Sequence, residues 1–272
     1  MKLLHFSFLS TAIVMSSHAN SAQAVEIIGH RGASFDAPEN TLASVNLAWK
    51  QNADAVEIDI YLTRDGHIVA VHDETTKRYG GPDKNIVEQT LAELKTIDVG
   101  RWKDKKWAGE RIPTLTEVLK TIPDGKRLFI EIKSGPEILP ELQRVIHTAR
   151  KKPEQTAIIS FSLDVVTAAK KEMPQLKAYW IVGLKQHKVT RKWSPQADEL
   201  IHKAGVARLD GLDIGKTAGI NKAFADEVKQ AGLDLYVWTI NSPSEAARLI
   251  SLGIDGITTD RPGWLRSKLA TE

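Results

Sequence analysis

Two histidines stand where a short apolar segment gives way to polar residues. His30 follows the apolar segment 25–29, and His72 follows the apolar segment 68–71. The unperturbed pKa of histidine is ~6.5, so a pair of histidines can act as base and acid together near neutral pH. His30 and His72 are therefore candidates for proton transfer in both directions.

Three carboxylates form a second group of candidate residues. Glu57 and Asp59 are two residues apart in the apolar segment 55–60, so in a strand both side chains leave from the same face. Glu131 lies near the end of another apolar segment, 127–132. Mg²⁺ and Ca²⁺ both prefer oxygen ligands, and Ca²⁺ tolerates more ligands and a looser geometry. The three carboxylates predict a site for one of these two cations, and the ligand type alone leaves the choice open.

Two cationic residues accompany these groups. Arg31 is next to His30, and Lys133 is two residues after Glu131. Arginine can donate two hydrogen bonds to one phosphate group, whereas lysine acts more as a point charge. A carboxylate-bound metal with two cations beside it fits a phosphate ester better than a sugar. The competing interpretation is a salt-bridged interior, in which Lys133 pairs with Glu131 and no ligand binds.

Strand and helix patterns alternate along most of the chain. We predict eight strands, over residues 25–29, 55–60, 127–132, 157–161, 177–182, 211–214, 235–240 and 256–259, each followed by a helical pattern. Such alternation indicates a parallel sheet, and eight units indicate an α/β fold of the (β/α)8 TIM-barrel type. Active sites of such barrels lie at the carboxyl ends of the strands. The candidate residues on the first three strands should therefore meet at one mouth.

Residues 1–24 have the pattern of a secretory signal peptide. Lys2 precedes an apolar run that ends near residue 15, and small residues follow up to Ala24. Cleavage after Ala24 would leave a mature domain of residues 25–272, and cleavage after Ala19 is the alternative. The apolar run is shorter than the ~20 residues that a spanning helix needs, which argues against a stable membrane anchor. We expect an exported protein, most simply one of the bacterial periplasm.

Composition excludes several classes of protein. The chain has 272 residues, no cysteine and a net charge of +3. The length suits one barrel of about 250 residues. Disulfides, thiolate metal sites, a cysteine nucleophile and a lipid-modified N-terminal cysteine are excluded. The mild charge gives no case for a nucleic-acid partner, and the sequence leaves the oligomeric state open.

An ordered set of motifs resembles the glycerophosphodiester phosphodiesterase family. The motifs are H-R-G-A at 30–33, P-E-N-T at 38–41, E-I-D at 57–59, H-D at 72–73, E-I-K at 131–133, S-F-S at 160–162, W-T-I-N at 238–241 and D-G-I-T-T-D-R-P at 255–262. The resemblance covers nearly all of the chain after residue 24. It implies a barrel with a small insertion, about residues 74–112, between strand 2 and helix 2 and over the mouth.

The resemblance also implies a reaction. A glycerophosphodiester would bind with its phosphate on the metal, Arg31 and Lys133. One histidine, with His30 favoured, would remove a proton from the glycerol 2-hydroxyl, which attacks phosphorus, and the other would protonate the leaving alcohol. Water would then open the cyclic phosphate, which gives sn-glycerol 3-phosphate. Glu39 is predicted to contact a glycerol hydroxyl or the metal-bound waters, with a charge at a helix N-terminus as the alternative. Phe161 and Trp238 are predicted to wall the glycerol pocket, with core packing as the alternative.

Two alternatives compete with this interpretation. Phospholipase D-like toxins share the barrel, the histidines and the paired carboxylates, and they cleave choline lipids. Those toxins are expected to contain stabilising disulfides, whereas this chain has no cysteine. The second alternative is a noncatalytic exported protein that binds phosphodiesters or metal on the same scaffold.

Asp260 is expected to pair with Arg261 or to cap the last helix. The identity of the leaving alcohol is left open.

Overall fold

A closed ring of eight parallel strands forms the centre of the molecule. The computed structural model describes residues 25–271, and the predicted export segment 1–24 lies outside the described residues. We number the barrel strands in chain order: β1 Glu26–Gly29, β2 Ala55–Leu62, β3 Arg127–Ile132, β4 Thr156–Ser160, β5 Lys177–Gly183, β6 Gly211–Gly215, β7 Asp234–Trp238 and β8 Gly256–Thr259.

The ring closes because β1 pairs with both β8 and β2. Glu26 is in register with Gly256, and Ile28 is in register with Ala55, both in parallel pairings. The remaining strands pair with their neighbours in chain order. The predicted (β/α)8 barrel is confirmed, and the predicted bounds of β3 and β8 agree with the structure at both ends.

A helix follows each barrel strand and packs on its outside. The helices are α1 Leu42–Lys50, α2 Leu115–Thr121, α3 Leu139–Ala149, α4 Leu163–Glu172, α5 Ala197–Val206, α6 Lys222–Gln230, α7 Pro243–Ser251 and α8 Pro262–Leu269. Thr41 caps α1 through two hydrogen bonds. Its side-chain oxygen accepts one from the backbone N–H of Ser44, and its own backbone N–H donates one to the hydroxyl of Ser44. In residues 25–271 no helix has both the length and the apolar character that crossing a bilayer requires.

Apolar and aromatic side chains fill the lower part of the barrel interior. Phe129, Tyr179 and Tyr236 pack together, with ring centroids 4.9 to 5.8 Å apart. Glu26 and Arg127 form an ion pair beneath them. The inward-facing Glu57, Asp59 and Glu131 lie above this packing, towards the carboxyl ends of the strands. Barrel enzymes carry their active sites at that end.

The segment between β2 and α2 forms the predicted insertion. A short strand, Ile68–Ala70, returns antiparallel to β2 and is followed by 3-10 turns at Lys77–Tyr79, Ile86–Glu88 and Lys105–Trp107 and a short helix at Leu91–Leu94. The segment has its own apolar cluster, which includes Tyr79, Ile86 and Leu94. The return strand places His72 at the mouth. A second small hairpin, Lys185–Gln186 with Trp193–Ser194, follows β5.

Candidate active site

The three predicted carboxylates meet at the mouth. Asp59 on β2 is the register partner of Glu131 on β3, and Glu57 shares the face of Asp59. Oxygen atoms of the three residues lie within 4.8 Å of one another. All three are buried, with Asp59 only 1% exposed. Adjacent strands of the barrel thus bring together carboxylates that are far apart in sequence.

Asp59 is the best neutralised of the three carboxylates. Its Oδ2 accepts a hydrogen bond from Asn40 Nδ2 at 2.8 Å and forms an ion pair with Arg31 Nε at 3.2 Å. Its Oδ1 lies 3.3 Å from Lys133 Nζ. Burial alone would raise the pKa of Asp59, but the two cations outweigh burial and lower it. Asp59 is therefore ionised at neutral pH.

Glu57 and Glu131 carry the unsatisfied charge of the site. Burial, Asp59 and Glu131 raise the pKa of Glu57 well above its ordinary value. Burial and Asp59 raise the pKa of Glu131 to about 7, against the opposing charge of Lys133. Glu57 Oε2 accepts a hydrogen bond from the backbone of Arg31, but its buried Oε1 has no protein donor in residues 25–271. Three carboxylates facing two cations, with an unpaired buried oxygen, fit a hard divalent cation.

His30 is held by a carboxylate from the far end of the chain. Its Nδ1 lies 2.6 Å from Asp260 Oδ1, and Asp260 also accepts hydrogen bonds from Ser34 and Asn241. Burial works to raise the pKa of Asp260, but His30 and the other donors lower it to about 2. The ionised carboxylate fixes a proton on Nδ1 of His30 and leaves Nε2 for a substrate.

The contact between His30 and Asp260 corrects an expectation from the sequence. Asp260 does not form an ion pair with Arg261, whose guanidinium lies over the ring of Phe35. The reason is the closure of the barrel, which sets β8 beside β1 and brings residue 260 next to residue 30. Asp260 is thus a residue of the candidate site that the sequence reasoning placed elsewhere. The adjacency of the first and last strands in a closed barrel was the signal that could have found it.

His72 has a similar arrangement on the other side of the mouth. Its Nδ1 lies 2.8 Å from Asp73 Oδ1, and Arg78 Nε donates to Asp73. Burial lowers the pKa of His72, and Arg31 adds to this effect, against the opposing charge of Asp59. The ring is therefore neutral near pH 7, with Nε2 free to accept a proton.

Arg31 joins several parts of the site. It has φ 54°, a left-handed conformation that is uncommon outside glycine, and its backbone N–H donates to Glu57 Oε2 at 2.9 Å. Its side chain forms ion pairs with Asp59 and with Glu39, which also binds Arg78 of the insertion. Glu39 is thus engaged by two arginines in this structure, and its predicted contact with substrate stays a prediction.

Two aromatic side chains wall the mouth opposite the insertion. Phe161 and Trp238 pack edge to face, with ring centroids 5.4 Å apart, and Phe161 is 50% exposed. A cavity of about 80 Å³ lies between them and the charged residues. Eight of the ten predicted site residues line it, while Asp59 lies beneath and Glu39 beside it. The structure thus brings eight of the ten residues to one cavity, and the chemical role of each residue stays a prediction.

A larger groove lies elsewhere on the molecule. It has a volume of about 930 Å³ and runs between the β5 hairpin and helices α5 and α6. Its lining includes His187, Asp198 and Glu227, but these residues do not form a group that could hold a metal. We assign the candidate active site to the smaller cavity because the carboxylates, histidines and cations converge there.

Asp213 is a further inward-facing carboxylate that the sequence reasoning missed. It lies on β6 in register with Ile181 and Tyr236, lines the cavity and is 4% exposed. Burial, with a contribution from Glu131, raises the pKa of Asp213 to about 8. Asp213 is the central residue of the strand G-L-D-I-G, and strand residues two apart share a face. This alternation was the signal that could have found it.

We expect Asp213→Asn to remove a pH dependence of stability. A carboxyl with a raised pKa in the folded state stabilises the protein most below its unfolded pKa of ~3.9, and this contribution is lost as the pH rises through about 8. The free energy of unfolding of the wild type should fall by roughly 1.4 kcal/mol per pH unit in this window from this group. Urea unfolding in EDTA at pH 6 and pH 8 measures the difference between the two proteins. The exposed Asp124→Asn is the control, and equal slopes for wild type and Asp213→Asn would contradict the expectation.

The class of protein follows from the barrel and its mouth. Enzymes of this fold react at the carboxyl ends of their strands, and here those ends present a candidate cation site, two oriented histidines and two cations suited to a phosphate. This combination defines a barrel enzyme that acts on phosphate esters.

Comparison with known proteins gives the family. The model of the "Glycerophosphoryl diester phosphodiesterase family" matches residues 30–264. The chain belongs to this family of phosphoric diester hydrolases. A glycerophosphodiester phosphodiesterase of Caldanaerobacter subterraneus is 36% identical over 244 residues, which cover 88% of this chain and 95% of that protein. One of Bacillus subtilis is 29% identical over 275 residues, covering 94% of this chain and 91% of that protein.

Solved structures agree with this assignment. A phosphodiesterase of Oleispira antarctica, determined in complex with the product sn-glycerol-3-phosphate, has a TM-score of 0.80 and 29% identity and covers 90% of this chain and 96% of its own. A glycerophosphodiester phosphodiesterase of Thermotoga maritima has a TM-score of 0.69 and 28% identity, with 89% of this chain and 97% of its own covered. The family predicted from the motifs is confirmed.

Proposed function

We propose that this chain hydrolyses glycerophosphodiesters to sn-glycerol 3-phosphate and a free alcohol at the barrel mouth. The observation that carries the proposal is the pair of histidines, each oriented through Nδ1 by a carboxylate, at one cavity with the carboxylate trio. The product bound in the Oleispira antarctica relative supports the choice of substrate.

Cationic residues at the cavity would bind the phosphate of the substrate. Arg31 and Lys133 line the cavity on the side of the carboxylate trio. Glu57, Asp59 and Glu131 are the residues that would hold a divalent cation, Ca²⁺ or Mg²⁺. When bound, such a cation supplies stabilisation of negative charge on the phosphoryl oxygens. Arg31 and Lys133 add fixed positive charge in a buried setting, where it acts more strongly than in water.

The two histidines would move the protons. In the first step Nε2 of one histidine accepts the proton of the glycerol 2-hydroxyl, whose oxygen bonds to phosphorus while the other histidine protonates the departing alcohol. In the second step water adds to the cyclic phosphate and the two histidines reverse their roles. The sequence favours His30 as the first base, but burial lowers the pKa of His72, which suits His72 to the same role, so we assign the two roles to the pair.

Hydrolysis of a panel of substrates tests the proposal. With Ca²⁺ or Mg²⁺, the purified protein should release sn-glycerol 3-phosphate and alcohol in equal amounts from glycerophosphocholine and glycerophosphoethanolamine. This hydrolysis should stop in EDTA. Lysophosphatidylcholine and sphingomyelin are assayed beside them. Cleavage of the two lipids alone would replace the proposal with the phospholipase D-like alternative, and no cleavage by folded protein would favour a binding protein.

A further inference from the structure

A second depression opens beside the cavity and is named here the outer depression. It has a volume of about 300 Å³ and shares His30 and Arg31 with the cavity. It extends between the loop before α1, which contributes Phe35, and the insertion, which contributes Trp102. A substrate whose phosphate lies beside Arg31 has room there for the alcohol on one side of the phosphorus atom.

Two cations lie close to the exposed ring of Phe35: Lys103, which lines the outer depression, and Arg261, which follows the lining residue Asp260 in the chain. Lys103 Nζ lies 5.9 Å from the ring centroid, and Arg261 Cζ lies 4.1 Å from it. Both residues are half-buried, whereas Phe35 is 53% exposed. Their positions come from distant segments, the insertion and the end of β8, so the pair exists only in the folded chain.

Neither cation is neutralised by the protein. Within residues 25–271 no carboxylate oxygen lies within 4 Å of Lys103 Nζ or of the Arg261 guanidinium. Lys103 donates one hydrogen bond, to the backbone oxygen of Ser34 at 2.8 Å. A partly buried charge without a counter-charge is unfavourable, and a bound anion would relieve this.

The carboxylates of the outer depression do not compensate for these cations. Glu39 is already bound by Arg31 and Arg78, and Asp260 accepts hydrogen bonds from His30 and its other neighbours. The two charges that stay unpaired at this surface are therefore positive. An anionic group that enters the depression therefore meets positive charge that no carboxylate in residues 25–271 pairs with.

The aromatic rings do not offer a site for a quaternary ammonium group. Such a group binds to open aromatic faces. Here each ring already has a cation beside it. Lys103 Nζ lies 5.8 Å from the ring centroid of Trp102, and both Lys103 and Arg261 lie near the ring of Phe35. A choline group would have to displace or approach these cations, and like charges brought together in this way disfavour binding.

We propose that the outer depression binds the leaving alcohol, and that Lys103 and Arg261 select alcohols that carry a second phosphate group. The inference rests on the proposed function, since it names a substrate class for the same site. The reaction stays a hydrolysis: the phosphorus–oxygen bond to the alcohol breaks, water supplies the proton and hydroxyl, and the alcohol leaves with its own phosphate intact. Charge-assisted hydrogen bonds from these two cations would hold such a phosphate.

Three substrates that differ only in the alcohol test the selectivity. They are glycerophosphocholine, glycerophosphoglycerol and glycerophosphoglycerol bearing a terminal phosphate, each assayed with the same saturating divalent cation. We expect kcat/KM for the phosphorylated substrate to exceed the other two by about tenfold or more, because charge-assisted hydrogen bonds to the second phosphate are stronger than neutral ones. Lys103→Ala and Arg261→Ala should each reduce this ratio, mainly through KM.

Controls separate this inference from the proposed function. Lys105→Ala removes an exposed cation near Lys103 that neither lines the outer depression nor lies over the Phe35 ring, and it should leave the ratio unchanged. Equal kcat/KM on the three substrates, or a preference for choline, would overturn the selectivity while leaving the phosphodiesterase intact. A uniform loss on all three substrates in Lys103→Ala and Arg261→Ala would assign a structural role to these residues. No hydrolysis of any substrate by the wild type would remove both proposals.

Discussion

Replacing either His30 or His72 with alanine is expected to lower kcat on glycerophosphocholine by about 10²–10⁴, the usual contribution of a positioned acid or base. Each ring lies at the same cavity and is oriented by a carboxylate, Asp260 or Asp73. Without one ring, either the 2-hydroxyl keeps its proton or the alcohol leaves as an alkoxide. Steady-state release of sn-glycerol 3-phosphate at saturating divalent cation measures kcat.

His67→Ala is the matched control for the histidine variants. This residue lies in the exposed turn between β2 and its return strand, with half of its side chain accessible. Its replacement should leave kcat unchanged. If either His30→Ala or His72→Ala retained the wild-type kcat, that histidine would have no part in proton transfer. The mechanism would then need another base at the cavity.

Replacing Glu57 with glutamine is expected to change thermal stability in opposite directions with and without metal. In EDTA at pH 8 the variant should melt above the wild type, because burial and two neighbouring carboxylates raise the pKa of Glu57. A group with a raised folded pKa stabilises the protein below its unfolded pKa of ~4.3, and the contribution is lost as the pH rises through the folded pKa. Because pH 8 is far above that unfolded pKa, the wild type bears the cost of binding a proton to Glu57 or of burying its charge, whereas the neutral amide bears neither.

Addition of Ca²⁺ or Mg²⁺ should reverse this order. A cation at about 100 times its dissociation constant stabilises the folded wild type by ~2.7 kcal/mol, which corresponds to roughly 5–10 °C in melting temperature for a chain of this size. Glu57→Gln loses a charged ligand and should show little of this shift. A wild type that melts at the same temperature in EDTA and in both cations would favour the salt-bridged interior over a metal site.

The barrel could be predicted because its signals are local. Strands buried on both faces appear as short apolar runs, and helices between them carry caps such as Thr41 and Thr114. The carboxylate trio could also be predicted, since neighbouring parallel strands present their carboxyl ends at one mouth. These inferences need only the order of the elements and the two-residue period of a strand.

Contacts set by ring closure and by the insertion need more than these local signals. The pairing of His30 with Asp260 joins residues 230 positions apart, and it depends on β8 lying next to β1. The engagement of Glu39 by Arg78 depends on the path of an insertion that is mostly turns and short 3-10 segments. Such segments have no strong periodicity, so sequence patterns do not fix where their side chains point.

The most direct measurement follows glycerophosphocholine and its 2-deoxy analogue by phosphorus NMR with wild-type chain and a saturating divalent cation. Attack by the glycerol 2-hydroxyl predicts that glycerophosphocholine passes through a five-membered cyclic phosphate to sn-glycerol 3-phosphate. It also predicts that the analogue, which lacks the attacking oxygen, is not cleaved. Cleavage of both compounds at similar rates would contradict this account, because water would then attack phosphorus directly and the two histidines would need different roles.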